Sequence, residues 1–113
     1  MSDFSIRLAR LADAEALPAI ERAAGELFQT VEGLAGVAGM HAIPAEEQRR
    51  MIRKGHSLIA ESEGGIVGFL STEPFDRELH IREFSVHPDH QGRGIGSVLL
   101  RAVAIDAHNS GFR

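Results

Sequence analysis

Apolar and polar side chains alternate through Phe4, Ser5, Ile6, Arg7 and Leu8, and this period of two predicts a half-buried strand. The period then lengthens. Leu17, Ile20, Ala24, Leu27 and Phe28 fall on one face of a helix, with Asp13 placed to cap it. Pro18 lies inside that pattern, where a missing backbone donor predicts a kink in the first turns. Residues 33–44 carry Gly33, Gly36, Gly39 and Pro44 among small apolar residues and read as a flexible connection. A short charged helix is predicted over 45–54, closed by Gly55.

Three strands follow. The first covers 57–62 and turns through Glu63-Gly64-Gly65, where glycine supplies a positive φ. The second covers 66–75, with Gly68 marking a bulge or a close approach. Asp76-Arg77 turns the chain into the third, 79–86. Ile95, Val98, Leu99, Ala102 and Val103 then form the apolar stripe of a last helix, ended by Asn109-Ser110-Gly111. The order is β-α-α-β-β-β-α, and the final residues hint at one more strand. No repeat or low-complexity segment interrupts it.

A chain of 113 residues supports one small domain with one core, so 1–113 is expected to be a single domain. Its 43% hydrophobic and 25% charged content is that of a globular protein. A net charge of −4 argues against bulk nucleic-acid binding, which needs a basic face. No apolar run reaches bilayer length, and Met1-Ser2-Asp3 does not open a signal peptide. The absence of cysteine removes disulfides, thiolate metal sites and a cysteine nucleophile, and fits the reducing cytoplasm.

The candidate chemistry lies at the junction of the last strand and helix. After Val86, His87 and Pro88 the chain reads Gln91-Gly92-Arg93-Gly94-Ile95-Gly96-Ser97 and then turns helical. Amides at such a turn lack intrahelical partners, and the helix dipole adds positive character, so a phosphate or pyrophosphate is the natural guest. The Walker pattern fails because no Lys follows Gly96. The dinucleotide fingerprint fails because Gly92, Gly94 and Gly96 are spaced by two throughout. A connection that merely needs glycine explains one of the three, not Gln91, Arg93 and three alternating glycines together.

The pattern Gln-x-x-Gly-x-Gly after a strand ending Val-His-Pro resembles the coenzyme A loop of the GNAT acetyltransferase superfamily. The flanking Glu-Leu-His-Ile-Arg-Glu-Phe-Ser-Val and Ser-Val-Leu-Leu-Arg-Ala-Val fit the same family. The resemblance implies an α/β fold, a mixed and mostly antiparallel sheet flanked by helices. It also implies acetyl-CoA as cofactor, released as CoA. Amides of Gln91, Gly92, Arg93, Gly94, Ile95 and Gly96, with Ser97, would hold the pyrophosphate, the glycines letting the backbone come close. Arg93 would add charge, or be a solvated surface residue. The main chain of Phe84, Ser85 and Val86 would pair with the pantetheine arm, and a nearby amide would polarise the thioester carbonyl.

Acetyl transfer to an amine needs a base for the ammonium proton. By the resemblance, His80 or Glu83 would serve, and imidazole titrates in a suitable range. Strict alternation puts the two on opposite faces unless the strand is bulged. The ordinary alternatives are an ion pair of Glu83 with Arg82 or a helix residue, and a partly exposed strand histidine at His80. His87 and His90, with Asp89 between, suggest a metal, but no third ligand converges in the sequence. His41, His56 and His108 read as scattered surface or loop residues. Residues 33–44 with Met40 are candidates to line the acceptor pocket, whereas Phe28 either joins that wall or, as the favoured reading, packs in the core under the loop.

In the family, a further strand, a helix and two more strands follow the last helix found here. The chain is therefore expected to be a truncated form, or one part of a split protein. A homodimer or another chain would then supply the missing strands and cover the exposed strand edge. Family members often use a Tyr to protonate the leaving thiolate, and this sequence has none. The expected activity is N-acetyl transfer to a primary amine of a small molecule or protein, with no nucleic-acid or membrane partner. A catalytically silent acyl-CoA-binding or sensory module is the alternative, and an unrelated nucleotide-binding domain a third.

Overall fold

The computed structural model describes residues 3–25 and 42–112. Its centre is a four-stranded antiparallel sheet in sequential order: β1 (Ser5–Leu8), β2 (Leu58–Ser62), β3 (Gly65–Phe75) and β4 (Glu78–Val86). Helices α1 (Leu17–Gly25) and α2 (Ala45–Arg53) cover one face, and α3 (Ile95–Asn109) covers the other. Alternation along the strands divides the core accordingly. Ile59 and Phe69 pack with Ala14, Leu17, Ile20 and Ile52, whereas Leu58, Ala60, Val67 and Leu70 pack with Ile95, Leu99 and Val103.

The first helix starts earlier and differently than its apolar spacing suggests. A 3-10 turn over Leu11–Ala16 leads directly into α1. Leu17 N–H bonds to Ala14 C=O, so the carbonyl that a donor at position 18 would have sought already has a partner. Pro18 therefore sits where its missing N–H costs little. Asp13 does cap, but from inside the 3-10 turn: its Oδ2 accepts from Arg10 N–H at 2.7 Å. The same carboxylate takes two bonds from the Arg7 guanidinium, at 2.8 and 2.9 Å. Leu27, Phe28, Met40, His41 and the glycines of 33–39 lie outside the described residues.

The β2–β3 hairpin turns with positive φ at both Glu63 (51°) and Gly64 (80°), the twist that suits an antiparallel pair. Two irregularities then shape the sheet. Ala60 pairs with Gly68 but Glu61 with Ile66, so Val67 is an additional residue in β3. Ser71 pairs with Glu83 but Thr72 with Ile81, so Arg82 is an additional residue in β4.

Helix α3 buries Ile95, Leu99 and Val103 at a spacing of four, while Val98, expected in the apolar stripe, is 37% exposed. Its C-terminus closes on Gly111 (φ 87°), with Gly111 N–H to His108 C=O and Phe112 N–H to Ala107 C=O. His56 lies in the loop before β2 and is engaged there. Its Nδ1 lies 2.6 Å from Asp106 Oδ2 and its ring meets Phe112 edge-on at 5.1 Å, which fastens that end of α3.

The Asp13–Arg7 pair joins the entry of α1 to the first strand, and both side chains are largely buried. Asp13→Ala should destabilise the chain by about 2–3 kcal/mol at pH 7, because it leaves a largely buried guanidinium short of acceptors. The Arg7 guanidinium holds the Asp13 carboxyl below its ordinary value of 3.8, so the deficit should shrink as pH falls below that value. Urea unfolding at pH 7 and pH 3 measures both.

Candidate active site

Strand β4 ends at Val86, and His87 N–H bonds back to Val67 C=O at 2.8 Å. One 3-10 turn over Pro88–His90 then delivers the chain to the glycine run. Gly92 and Gly94 both have φ +82°, where a side chain is strained, and a Cβ at either would project into open space. Gly94 is the N-cap of α3, and Val98 N–H to Gly94 C=O, at 3.1 Å, is the first bond of the helix. The amides of Ile95, Gly96 and Ser97 precede it with no intrahelical acceptor.

Gly96 has a different requirement. A Cβ there would lie 3.0 Å from Phe84 Cζ, so this glycine lets the helix start close to β4. Gly68 does the same from below: its Cβ would meet Ser85 C=O at 3.1 Å and Ile95 Cγ2 at 3.5 Å. The three alternating glycines thus answer two conformational needs and one of packing.

The side chains of the loop are mostly committed within the fold. Gln91 Nε2 donates to Val86 C=O at 3.1 Å and braces the turn. Arg93 reaches away toward the start of the chain. Its guanidinium pairs with Asp3, lies 2.5 Å from His90 Nδ1 and 3.5 Å from Ser62 Oγ, and stands 6.0 Å above the Phe4 ring. Ser97 is exposed on the first turn of α3, and Ile95 is buried. No group of three His, Cys, Asp or Glu residues converges as a metal site among the described residues. His87 Nδ1 instead accepts from Asp89 N–H at 3.1 Å.

The bulge at Arg82 decides the other face. Glu83 lies opposite Ser71 and His80 opposite Glu73, two residues apart on β3, so His80 and Glu83 share the face that α1 and α2 cover. The bulge is the exception under which strict alternation does not separate them. They remain apart along the strand. His80 is exposed at the hairpin end, 3.0 Å from Glu78 Oε1 and edge-on to Phe75. Glu83 is half-buried, and its Oε1 accepts from Phe84 N–H at 2.8 Å and Ser85 Oγ at 3.2 Å. Arg82 does not pair with it, but bonds Glu73, which Arg50 and Lys54 also hold well below the usual carboxylate range.

The residue that faces Glu83 is Glu21 of α1, which the sequence analysis passed over. Its carboxyl lies within hydrogen-bonding reach of Glu83, and its Oε1 accepts from Ile43 N–H at 3.0 Å. Burial, and then the neighbouring Glu83 carboxyl, push its pKa up to about 7. The available signal was spacing: Glu21 stands four residues after Leu17, beside the buried face of α1.

A family model described as an acetyltransferase (GNAT) domain matches residues 53–113, more than half of the chain. The chain belongs to the GNAT acetyltransferase family. Over 113 aligned residues it is 33% identical to the L-amino acid N-acyltransferase MnaT of Escherichia coli, covering 95% of this chain and 64% of that protein. It is 44% identical over 55 residues to a mycothiol acetyltransferase of Nocardiopsis dassonvillei, covering 49% of this chain and 17% of that one. The chain thus spans less than two thirds of either relative. The PaiA N-acetyltransferase of Thermoplasma acidophilum, solved with coenzyme A, superposes with a TM-score of 0.75 at 16% identity, over 99% of this chain and 76% of that one. This is a likeness of fold, and it agrees with the antiparallel sheet between helices described above.

A carboxyl whose folded-state pKa is raised stabilises the fold below its ordinary value of 4.5 and loses that contribution as pH rises through about 7. Glu21→Gln should therefore match the wild type near pH 4.5 and be the more stable protein at pH 8. Melting temperatures across that range, at constant ionic strength, check the sign.

Proposed function

We propose that this domain transfers an acetyl group from acetyl-CoA to a primary amine. The observation that carries the reading is the left-handed Gly94 cap with its open amides, held directly against the end of β4 by the Phe84–Gly96 contact. Positive character at the start of a 15-residue helix and an unobstructed backbone suit a pyrophosphate. Residues Gln91, Gly92, Arg93, Gly94, Ile95, Gly96 and Ser97 would hold it by main chain, since the Arg93 guanidinium is already engaged with Asp3. Strand β4 is outermost in the sheet, so main-chain groups of Phe84, Ser85 and Val86 line an edge suited to the amides of a pantetheine arm. When bound, acetyl-CoA supplies an activated acetyl thioester.

The chain's own contribution is to prepare the amine. An ammonium N–H bond breaks, an O–H bond forms on a carboxylate, and the nitrogen lone pair is freed. Glu83 is the better-placed base. It is half-buried and oriented by Phe84 N–H and Ser85 Oγ beside the proposed cofactor edge, whereas His80 is exposed at the hairpin end. The lack of any Tyr favours a second reading, a silent acyl-CoA-binding module.

CoA and acetyl-CoA should raise the melting temperature, and Gly94→Val should weaken CoA binding at least tenfold by straining a left-handed cap. Unchanged CoA affinity in that variant would remove the loop assignment. Thiol release over an amine panel separates the enzyme from the silent module. Glu83→Gln should lower turnover about a hundredfold at pH 7 and much less at pH 9, where free amine is abundant. His80→Ala should stay within about threefold of wild type at both, since a proton acceptor of that kind is not lost.

A further inference from the structure

Gln91 and Arg93 are the polar side chains of the loop ahead of Gly94, and the fold engages both with its own groups. Gln91 Nε2 donates to Val86 C=O at 3.1 Å, on the outermost strand β4. Arg93 reaches toward the opposite edge of the sheet. Its guanidinium pairs with Asp3, two residues before β1, and approaches Ser62 Oγ, at the end of β2, to 3.5 Å. It also lies 2.5 Å from His90 Nδ1 in the 3-10 turn and 6.0 Å above the Phe4 ring. Antiparallel order brings the start of β1, the end of β2, the start of β3 and the end of β4 to one end of the sheet. The loop is thus tied across that end from both sides, by Gln91 to β4 and by Arg93 to the segment ahead of β1 and to β2.

The Asp3 side of this tie is itself fixed. Buried Ser62 donates through Oγ to Asp3 C=O at 2.9 Å, and Phe4 packs against the α3 side of the core. The Asp3 carboxylate therefore meets Arg93 from a backbone that the sheet already holds. On the loop side, Arg93 stands between Gly92 and Gly94, both at φ 82°. Glycines give such a turn wide conformational freedom, and each contact of the guanidinium restricts it. The planar fork suits several acceptors at once. A guanidinium that turned to a phosphate would have to leave Asp3, Ser62 and His90 together.

We propose that Asp3 is a positioning residue for the coenzyme A loop: through Arg93 it holds the 91–96 turn, before the cofactor arrives, in the shape that presents the amides of Ile95, Gly96 and Ser97. Arg93 is then a brace and not a phosphate ligand. The inference rests on the acetyltransferase reading for the identity of the ligand, but the shape of the loop does not depend on it. The two roles of Arg93 differ in sign. For a ligand, the Asp3 carboxylate competes with the CoA phosphates for the guanidinium, and its removal tightens binding. For a brace, removal of Asp3 loosens the turn, and the cofactor must order it on binding.

The test compares the wild type, Asp3→Ala, Arg93→Gln and the double variant by calorimetric titration with CoA. Asp3→Ala should weaken CoA binding about three- to fivefold, the scale of a partly exposed ion pair. Arg93→Gln should weaken it at least as much, and the double variant should match Arg93→Gln, because both changes remove one tie. In turnover, the Asp3→Ala loss should appear in KM for acetyl-CoA and not in kcat. Amide order parameters from nitrogen-15 relaxation, measured without CoA, should fall at Gly92, Gly94 and Gly96 in Asp3→Ala and stay unchanged at Leu99 and Val103. CoA affinity in Asp3→Ala equal to or tighter than in the wild type, additive losses in the double variant, or unchanged order parameters in the loop would each overturn the proposal. Failure of the wild type to bind CoA would overturn only the acetyltransferase reading, because the order parameters are read without cofactor and still decide whether Asp3 holds the loop.

Discussion

The start of α3 must lie almost in contact with the backbone of β3 and β4, and the arrangement of the candidate site follows from that closeness. Gly68 and Gly96 make it possible from the two sides. A methyl at Gly68 would press on Ser85 C=O and Ile95, and one at Gly96 on the Phe84 ring. With the helix so seated, Ile95, Leu99 and Val103 seal one face of the sheet against Leu58, Ala60 and Leu70. The open amides of the first turn are held beside the end of the outermost strand. A larger residue at either glycine would push the helix outward, loosen that half of the core, and move those amides from the strand they serve.

The opposite face is governed by a single additional residue. Without the bulge at Arg82, strict alternation would put His80 and Glu83 on opposite faces of the sheet. With the bulge, Arg82 joins Glu47 and Glu73 in an ion-pair group, and Glu83 turns toward Glu21. Two like charges brought together under partial burial oppose stability. Among the described residues, the other half-buried carboxylates are all paired with a basic side chain.

Much of this was legible from spacing alone. The order of elements, the glycine-rich turn into α3 and the Gly55 and Gly111 helix stops follow from local rules, because φ restrictions and apolar periodicity act within a few residues. The resemblance of Gln91 through Gly96 to a coenzyme A loop carried the family, since that loop is contiguous. What escaped were features that depend on residues far apart. Pro18 looked like a kink until the 3-10 turn before it was seen to occupy the Ala14 carbonyl. Arg93 read either as added charge for the phosphates or as a solvated surface residue, and only the fold shows that Asp3, ninety positions away, engages its side chain. Gly96 looked equivalent to Gly92 and Gly94, though its requirement comes from Phe84.

The sequence by itself determined the β-α-α-β-β-β-α order, the glycine-rich turn into α3 and the GNAT family, all of which are encoded by neighbours along the chain. Only the tertiary structure decided which carboxylates are satisfied and which are not. Glu21 and Glu83 are sixty-two positions apart and come together because α1 packs on the face of the sheet to which Glu83, opposite Ser71, belongs. Charge, unlike periodicity, acts through space, and its partners cannot be assigned until the fold has placed them.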